Sequence, residues 1–172
     1  MAPTAPERTV AETVHQRPPV LVIGVGNALR RDDAAGLEIV RRVRARAEPS
    51  EVATCEHEGE ALALLDVWEG AEAVVLVDAI RSGAEPGTIH RVDATATAIP
   101  ERLRGSCSTH AVGVGEAIEL ARALGRLPKT VLLFGVEGQR FEAGGGLSGE
   151  VEAMVEGLAE LVLGEAIELS RS

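Results

Sequence analysis

Three side chains in this 172-residue chain are of the types that hold a divalent metal or move a proton: Asp33, Asp78 and His110. Two carboxylates and one imidazole make an oxygen-and-nitrogen donor set that suits Zn or Ni. The three stand 45 and 32 residues apart, which is no local metal-binding motif. Only a fold that returns repeatedly to one edge would gather them, and each stands where an element is expected to end or begin. Asp33 closes the pair Asp32-Asp33 ahead of an amphipathic stretch. Asp78 follows the apolar run AVVLV, and His110 sits in Ser108-Thr109-His110 ahead of a second amphipathic stretch. Plainer roles exist for Asp33 and His110. An acid in the first turn of a helix complements the helix dipole, and a histidine there is commonly a cap or a surface residue. Asp78 fits a bland role less well, because a carboxylate at the end of a buried strand loses solvation unless something pairs with it.

Two other segments carry chemistry by type. Gly24-Val25-Gly26-Asn27 begins like a dinucleotide-binding turn, but Leu29 stands where the third glycine belongs. No ribose-binding acid closes a following strand either, since Glu51 precedes its candidate strand. The segment reads instead as a tight strand-to-loop turn, with Gly24, Gly26 and Asn27 letting a substrate backbone approach closely. Cys107, three residues before His110, raises the alternative of a metal-independent cysteine hydrolase, with a thiolate activated at a helix N-terminus. No oriented base for it is evident, and a small half-buried residue is the simpler reading. Of the remaining histidines, His15 lies in the N-terminal segment, His57 in a loop and His90 on an expected edge strand.

The elements that must position these residues follow from hydrophobic periodicity. PVLVIGV (19–25), AVVLV (73–77) and VLLFGV (131–136) are nearly continuous apolar runs, as strands buried on both faces of a parallel sheet require. Glu51 to Cys55 fits a shorter strand. Thr88 to Val92 alternates after the Pro86-Gly87 turn and fits an edge strand. Between them, Leu37, Val40 and Val43 mark a helix from about Asp33 to Ala47, and Ala61, Leu64, Leu65 and Trp68 a short one. Val114, Ala117, Ile118 and Ala121 mark a helix capped by Ser108 or Thr109, and Val151 to Val162 a terminal one. Strands alternating with helices predict a three-layer α/β/α sandwich around a mostly parallel sheet of about five strands. Residues 1–18 lack hydrophobic periodicity and read as a disordered tail, leaving 19–168 as a single α/β domain.

Composition narrows the function. A formal charge of −10 with 2% aromatics argues against nucleic-acid binding. No apolar run approaches a membrane span, and the first residues lack the apolar centre of a signal peptide. Two cysteines make no disulfide framework, so a cytoplasmic setting is expected.

The motifs together resemble the hydrogenase maturation proteases. VIGVGNALRRDDAAGLEIV is similar to that family's opening Gly-x-Gly-Asn turn and acidic pair, VVLVDAI to its strand ending in Asp, and THAVGVGEAIELA to its His before a helix. GVEGQRFEAGGGLSGEVEAMV is similar to the closing segment, so the resemblance runs from about Val20 to Leu163. It departs at Ala34, where the family usually has Gly, and at His57-Glu58-Gly59-Glu60-Ala61, where it commonly has a Gly-Gly-Thr-x-Gly loop. The resemblance implies an endopeptidase that removes the C-terminal extension of a nickel-containing hydrogenase large-subunit precursor. It also implies that Asp33, Asp78 and His110 bind a nickel ion supplied by that substrate, with Zn or another divalent ion able to substitute. The expected partner is the precursor, the expected state a monomer, and His57 or Glu58 is a candidate for approach to the metal. A non-catalytic chaperone that holds the immature large subunit is the alternative of another class.

Overall fold

The computed structural model describes residues 20–104 and 113–172. The expected tail and the segment holding Cys107, Ser108, Thr109 and His110 lie outside the described residues. The chain runs β1 (Val20–Val25), a 3-10 turn (Arg31–Ala34), α1 (Ala35–Arg44), β2 (Val52–His57), α2 (Ala61–Val67), β3 (Ala73–Ile80) and β4 (Ile89–Asp93). A short 3-10 turn at Glu101–Leu103, α3 (Val114–Ala123), β5 (Thr130–Glu137) and α4 (Gly149–Ser170) complete it.

The strands form one sheet in the order β2-β1-β3-β5-β4. Four are parallel, and β4 closes one edge antiparallel to β5. Alternation along the central strands feeds two separate cores. Val75, Val77 and Phe134 pack with α1 and α4 on one face, through Ile39, Val40, Val155 and Leu158. Val74, Leu76 and Leu133 pack with α2 and α3 on the other, through Leu65, Trp68 and Ile118. Both faces being covered is why these strands are continuous apolar runs. The three-layer α/β/α sandwich with a mostly parallel five-stranded sheet is therefore present. No helix among the described residues is long and apolar enough to cross a membrane.

Element ends differ from the sequence reading in several places, and β2 runs on to His57, expected in a loop, because it pairs with β1 as far as Val25. The strand AVVLV does not stop at Asp78: pairing with β5 carries it on through Asp78 opposite Gly135, Ala79 opposite Val136 and Ile80 opposite Glu137. The first helix starts at Ala35, not Asp33, because Arg31 takes a left-handed φ of 44° and Arg31–Ala34 winds more tightly. It also ends at Arg44, short of Ala47. The third helix starts at Val114 with Gly113 as its N-cap, and the caps expected from the sequence, Ser108 and Thr109, lie outside the described residues.

One glycine fixes how α1 sits on the sheet. A β-carbon on Gly36 would run into the carbonyl oxygens of Val25, the last residue of β1, and of Val77, next to Asp78 in β3. The absence of a side chain there lets the helix start press directly on the edge that carries the acids.

Candidate active site

Strand β1 connects outward through α1 to β2 on one side, while β3 lies on its other side. The order of the strands therefore reverses between β1 and β3, the place where open α/β sheets bind ligands beyond their C-terminal strand ends. Asp33 lies in the connection leaving β1, and Asp78 lies near the C-terminal end of β3. The fold thus brings to one rim two acids that are 45 residues apart in sequence.

They are close enough for the charge of Asp33 to oppose the ionisation of Asp78. Burial pushes the Asp78 carboxyl well above the ordinary carboxylate range, and the charge of Asp33 pushes it further, against a weaker pull from the Ala79 N–H. Asp33 is 7% exposed, and burial raises it too, partly offset by the Arg30 guanidinium and the Asn27 N–H. Two desolvated carboxylates that resist sharing charge form a donor set that a divalent cation would relieve. Among the described residues no cluster of three His, Cys, Asp or Glu side chains gathers as a metal cage. His110, the third member expected from the sequence, lies outside the described residues.

Asp32, the neighbour of Asp33, has a different task. It is fully buried and accepts hydrogen bonds from the N–H groups of Gln139 (2.9 Å), Arg140 (2.8 Å) and Ser148 (2.6 Å) and from Ser148 Oγ (2.9 Å). Burial alone would raise its pKa, but these donors more than offset that and hold it below the usual value. Ser148 is the residue before α4, and its hydroxyl is spent on Asp32 rather than on the helix end. Arg30 Nε and Nη2 both donate to the Phe141 carbonyl, and the Arg31 N–H donates to that of Gly144. The loop between β5 and α4 is in this way stitched to the loop that carries Asp33.

A second buried carboxylate does the same for the exit of β3. Glu137 is 2% exposed and accepts from the Ser82 N–H, the Gly83 N–H and Ser82 Oγ at 2.7 Å. His90 Nε2 lies 3.6 Å from the same carboxylate. The sequence reading singled out neither Glu137, Ser82, Ser148 nor the separate role of Asp32. A carboxylate closing a buried run, as in VLLFGVE, is the signal in the sequence that marks Glu137 out.

A cleft of about 680 Å³ opens between the loop after β1 and the end of β2; neither Asp33 nor Asp78 lines it. Gly26 and Asn27, two of the residues expected to meet substrate, line it. Gly24 does not: the space its side chain would fill is occupied by the Gly36 carbonyl and Val40 of α1, so its small size serves helix packing. His57 and Glu58 also line the cleft. His57 Nδ1 accepts the Gly59 N–H at 2.9 Å, which puts the proton of the neutral ring on Nε2. Burial lowers its pKa, so the neutral form is favoured despite Glu60 and Glu58. Neither ring nitrogen then offers a lone pair to a metal, which argues against His57 as a ligand in this arrangement.

The fold and this rim define a doubly wound α/β protein with an acid-built site at its switch point. A family model described as hydrogenase maturation protease matches residues 37–165. The chain is 32% identical over 146 residues to the hydrogenase 2 maturation protease of Escherichia coli, covering 84% of this chain and 88% of that one. It is 30% identical over 149 residues to the hydrogenase expression/formation protein HupD of Thiocapsa roseopersicina, of which the match spans 66%. Among solved structures, the hydrogenase maturating endopeptidase HybD from E. coli superposes with a TM-score of 0.74 at 31% identity, over 87% of this chain and 92% of that one. The chain belongs to the hydrogenase maturation protease family, a family of peptidases.

Proposed function

We propose that this protein is the endopeptidase that removes the C-terminal extension of a nickel-containing hydrogenase large-subunit precursor, acting in the cytoplasm as a monomer. The observation that carries the reading is the meeting of Asp33 and Asp78 at the switch point, where each carboxylate is desolvated and Asp33 disfavours the charge of Asp78. Such a pair gains most from a cation that arrives with the substrate. Asp33, Asp78 and His110 together complete an oxygen-and-nitrogen set suited to nickel, with Zn or another divalent ion as substitute. A nickel ion held by these residues would supply Lewis acidity, either to the scissile carbonyl or to an attacking water. A carboxyl raised above its ordinary range, as Asp78 is, also makes a stronger general base than a solvated carboxylate. Gly26 and Asn27 in the adjoining cleft receive the extended tail.

The test is intact-mass analysis of the nickel-loaded large-subunit precursor after incubation with the protein. The natural chain is expected to shorten the precursor by its C-terminal peptide only when nickel is present, and Asp33→Ala or His110→Ala to leave it intact. Cys107→Ser is expected to process at the natural rate; its inactivity would move the mechanism to the thiol. Stable binding of the precursor without any mass change would instead identify a chaperone.

A further inference from the structure

Leu29 is the most exposed large apolar side chain among the described residues, at 76%. Scattered exposed leucines are ordinary on protein surfaces, but Leu29 is unusual in how it is held. Its N–H donates to Asn27 Oδ1 at 2.9 Å, and its carbonyl accepts the Gly144 N–H at 2.9 Å. The Arg30 N–H that follows donates to the Asn27 carbonyl at 3.1 Å. The backbone is therefore fixed on both sides of a side chain that projects into water. Asn27 is also the link to the chemistry, since its own N–H donates to the Asp33 carbonyl at 3.2 Å. Leu29 lines the 680 Å³ cleft together with Ala28, Leu37 and Ala63, which give that cleft an apolar part beside its acidic one.

We infer that Leu29 is a specificity-determining residue that anchors an apolar side chain of the precursor's extended tail in the cleft beside the loop that carries Asp33. The inference rests on the peptidase reading above and deepens it. The occupant is the tail because the cleft is continuous, through Asn27, with the loop that presents Asp33, and is of the size that holds a few residues of extended peptide. A side chain whose backbone is already ordered gives up little entropy on binding, so most of the apolar burial appears as affinity. Burying one leucine-sized contact corresponds to about tenfold in affinity or more.

Steady-state cleavage of the nickel-loaded precursor by the natural chain, Leu29→Ala, Leu29→Asp and Leu161→Asp tests this, with thermal midpoints measured in parallel. Leu161 is exposed on α4 and serves as a control for surface charge. Loss of contact made equally in the bound and reacting states raises KM and leaves kcat unchanged. The expected result is a KM raised about tenfold or more in both Leu29 variants, natural KM in Leu161→Asp, and unchanged midpoints. An active natural chain with unchanged KM in both Leu29 variants overturns the inference and leaves the peptidase reading standing. A lowered midpoint with lost activity in both would make Leu29 structural and overturn it as well. A natural chain that cleaves nothing removes the peptidase reading, and this inference with it.

Discussion

An Asp78→Asn variant is expected to fold at least as well as the natural chain and to release no peptide from the precursor. The substitution keeps shape and removes charge at a position where burial and the neighbouring Asp33 both oppose ionisation. An acid whose pKa is higher in the fold than in the unfolded chain costs stability as it ionises. As pH rises from below the ordinary value of 3.8, the unfolded chain loses that proton first, and the equilibrium shifts toward unfolding. The natural chain therefore sheds stability from this group with rising pH, whereas the variant has no such group to titrate. Melting temperatures of the two proteins should be close in acid and separate in favour of the variant toward neutral pH, by about 2–4 °C for each kcal/mol relieved. A variant that melts lower than the natural chain at neutral pH would show that Asp78 is held by favourable partners and is not a strained carboxylate. Together with lost processing, the expected pattern is that of a site whose stability is sacrificed for its chemistry.

The presence or absence of nickel does not enter that comparison, because the substrate-free protein is the species being melted. The same raised pKa values bear on metal capture. Carboxylates must lose their protons to bind a cation, so nickel recognition by this pair is expected to weaken on acidification at a higher pH than for ordinary carboxylates.

How much of this was legible in the sequence varies from residue to residue. The central strands were, because burial on both faces leaves no polar position in AVVLV or VLLFGV to confuse the period. The place of Asp78 followed from the strand, though not the strand's continuation to Ile80, which depends on a partner, β5, that lies 57 residues further on. The division of labour within Asp32-Asp33 was not legible. Two identical side chains in adjacent positions differ only in direction, and that direction is set by the left-handed Arg31 and by donors from residues 139–148. Gly24 and Gly26 pose the same problem: a side chain on the first would run into Val40 and one on the second into the Asp33 carbonyl, yet only Gly26 also lines the cleft. Leu29 looked like a missing glycine of another motif, and its exposure depends on Asn27 and Gly144 holding the loop open.

The division between the two acids also yields the largest expected loss of stability. Asp32→Ala leaves four donors, two part-buried on Gln139 and Arg140 and two buried on Ser148, without their acceptor, and opens a void where α4 begins. Removing the charged acceptor from such a network costs about 3–5 kcal/mol, which for a chain of this size lowers the melting temperature by about 10 °C. Asp32→Asn is the milder change: its oxygen can still accept, but its amide N–H₂ meets donors on the other side and recovers only part of the loss. The pH dependence runs opposite to that of Asp78. A carboxyl held below its ordinary value of 3.8 stabilises the fold at every pH above that value, and the contribution is lost as pH falls through the lower, folded-state value. Calorimetry should therefore find the gap between natural and Asp32→Ala proteins full at neutral pH and narrowing only in strong acid. A gap below about 1 kcal/mol at neutral pH, the level of an exposed pair, would mean that the loop is held by Arg30 and Arg31 instead. Because the same loop steadies the segment that presents Asp33, processing by Asp32→Ala should fall even below its melting temperature, through a misplaced Asp33 rather than through a missing one.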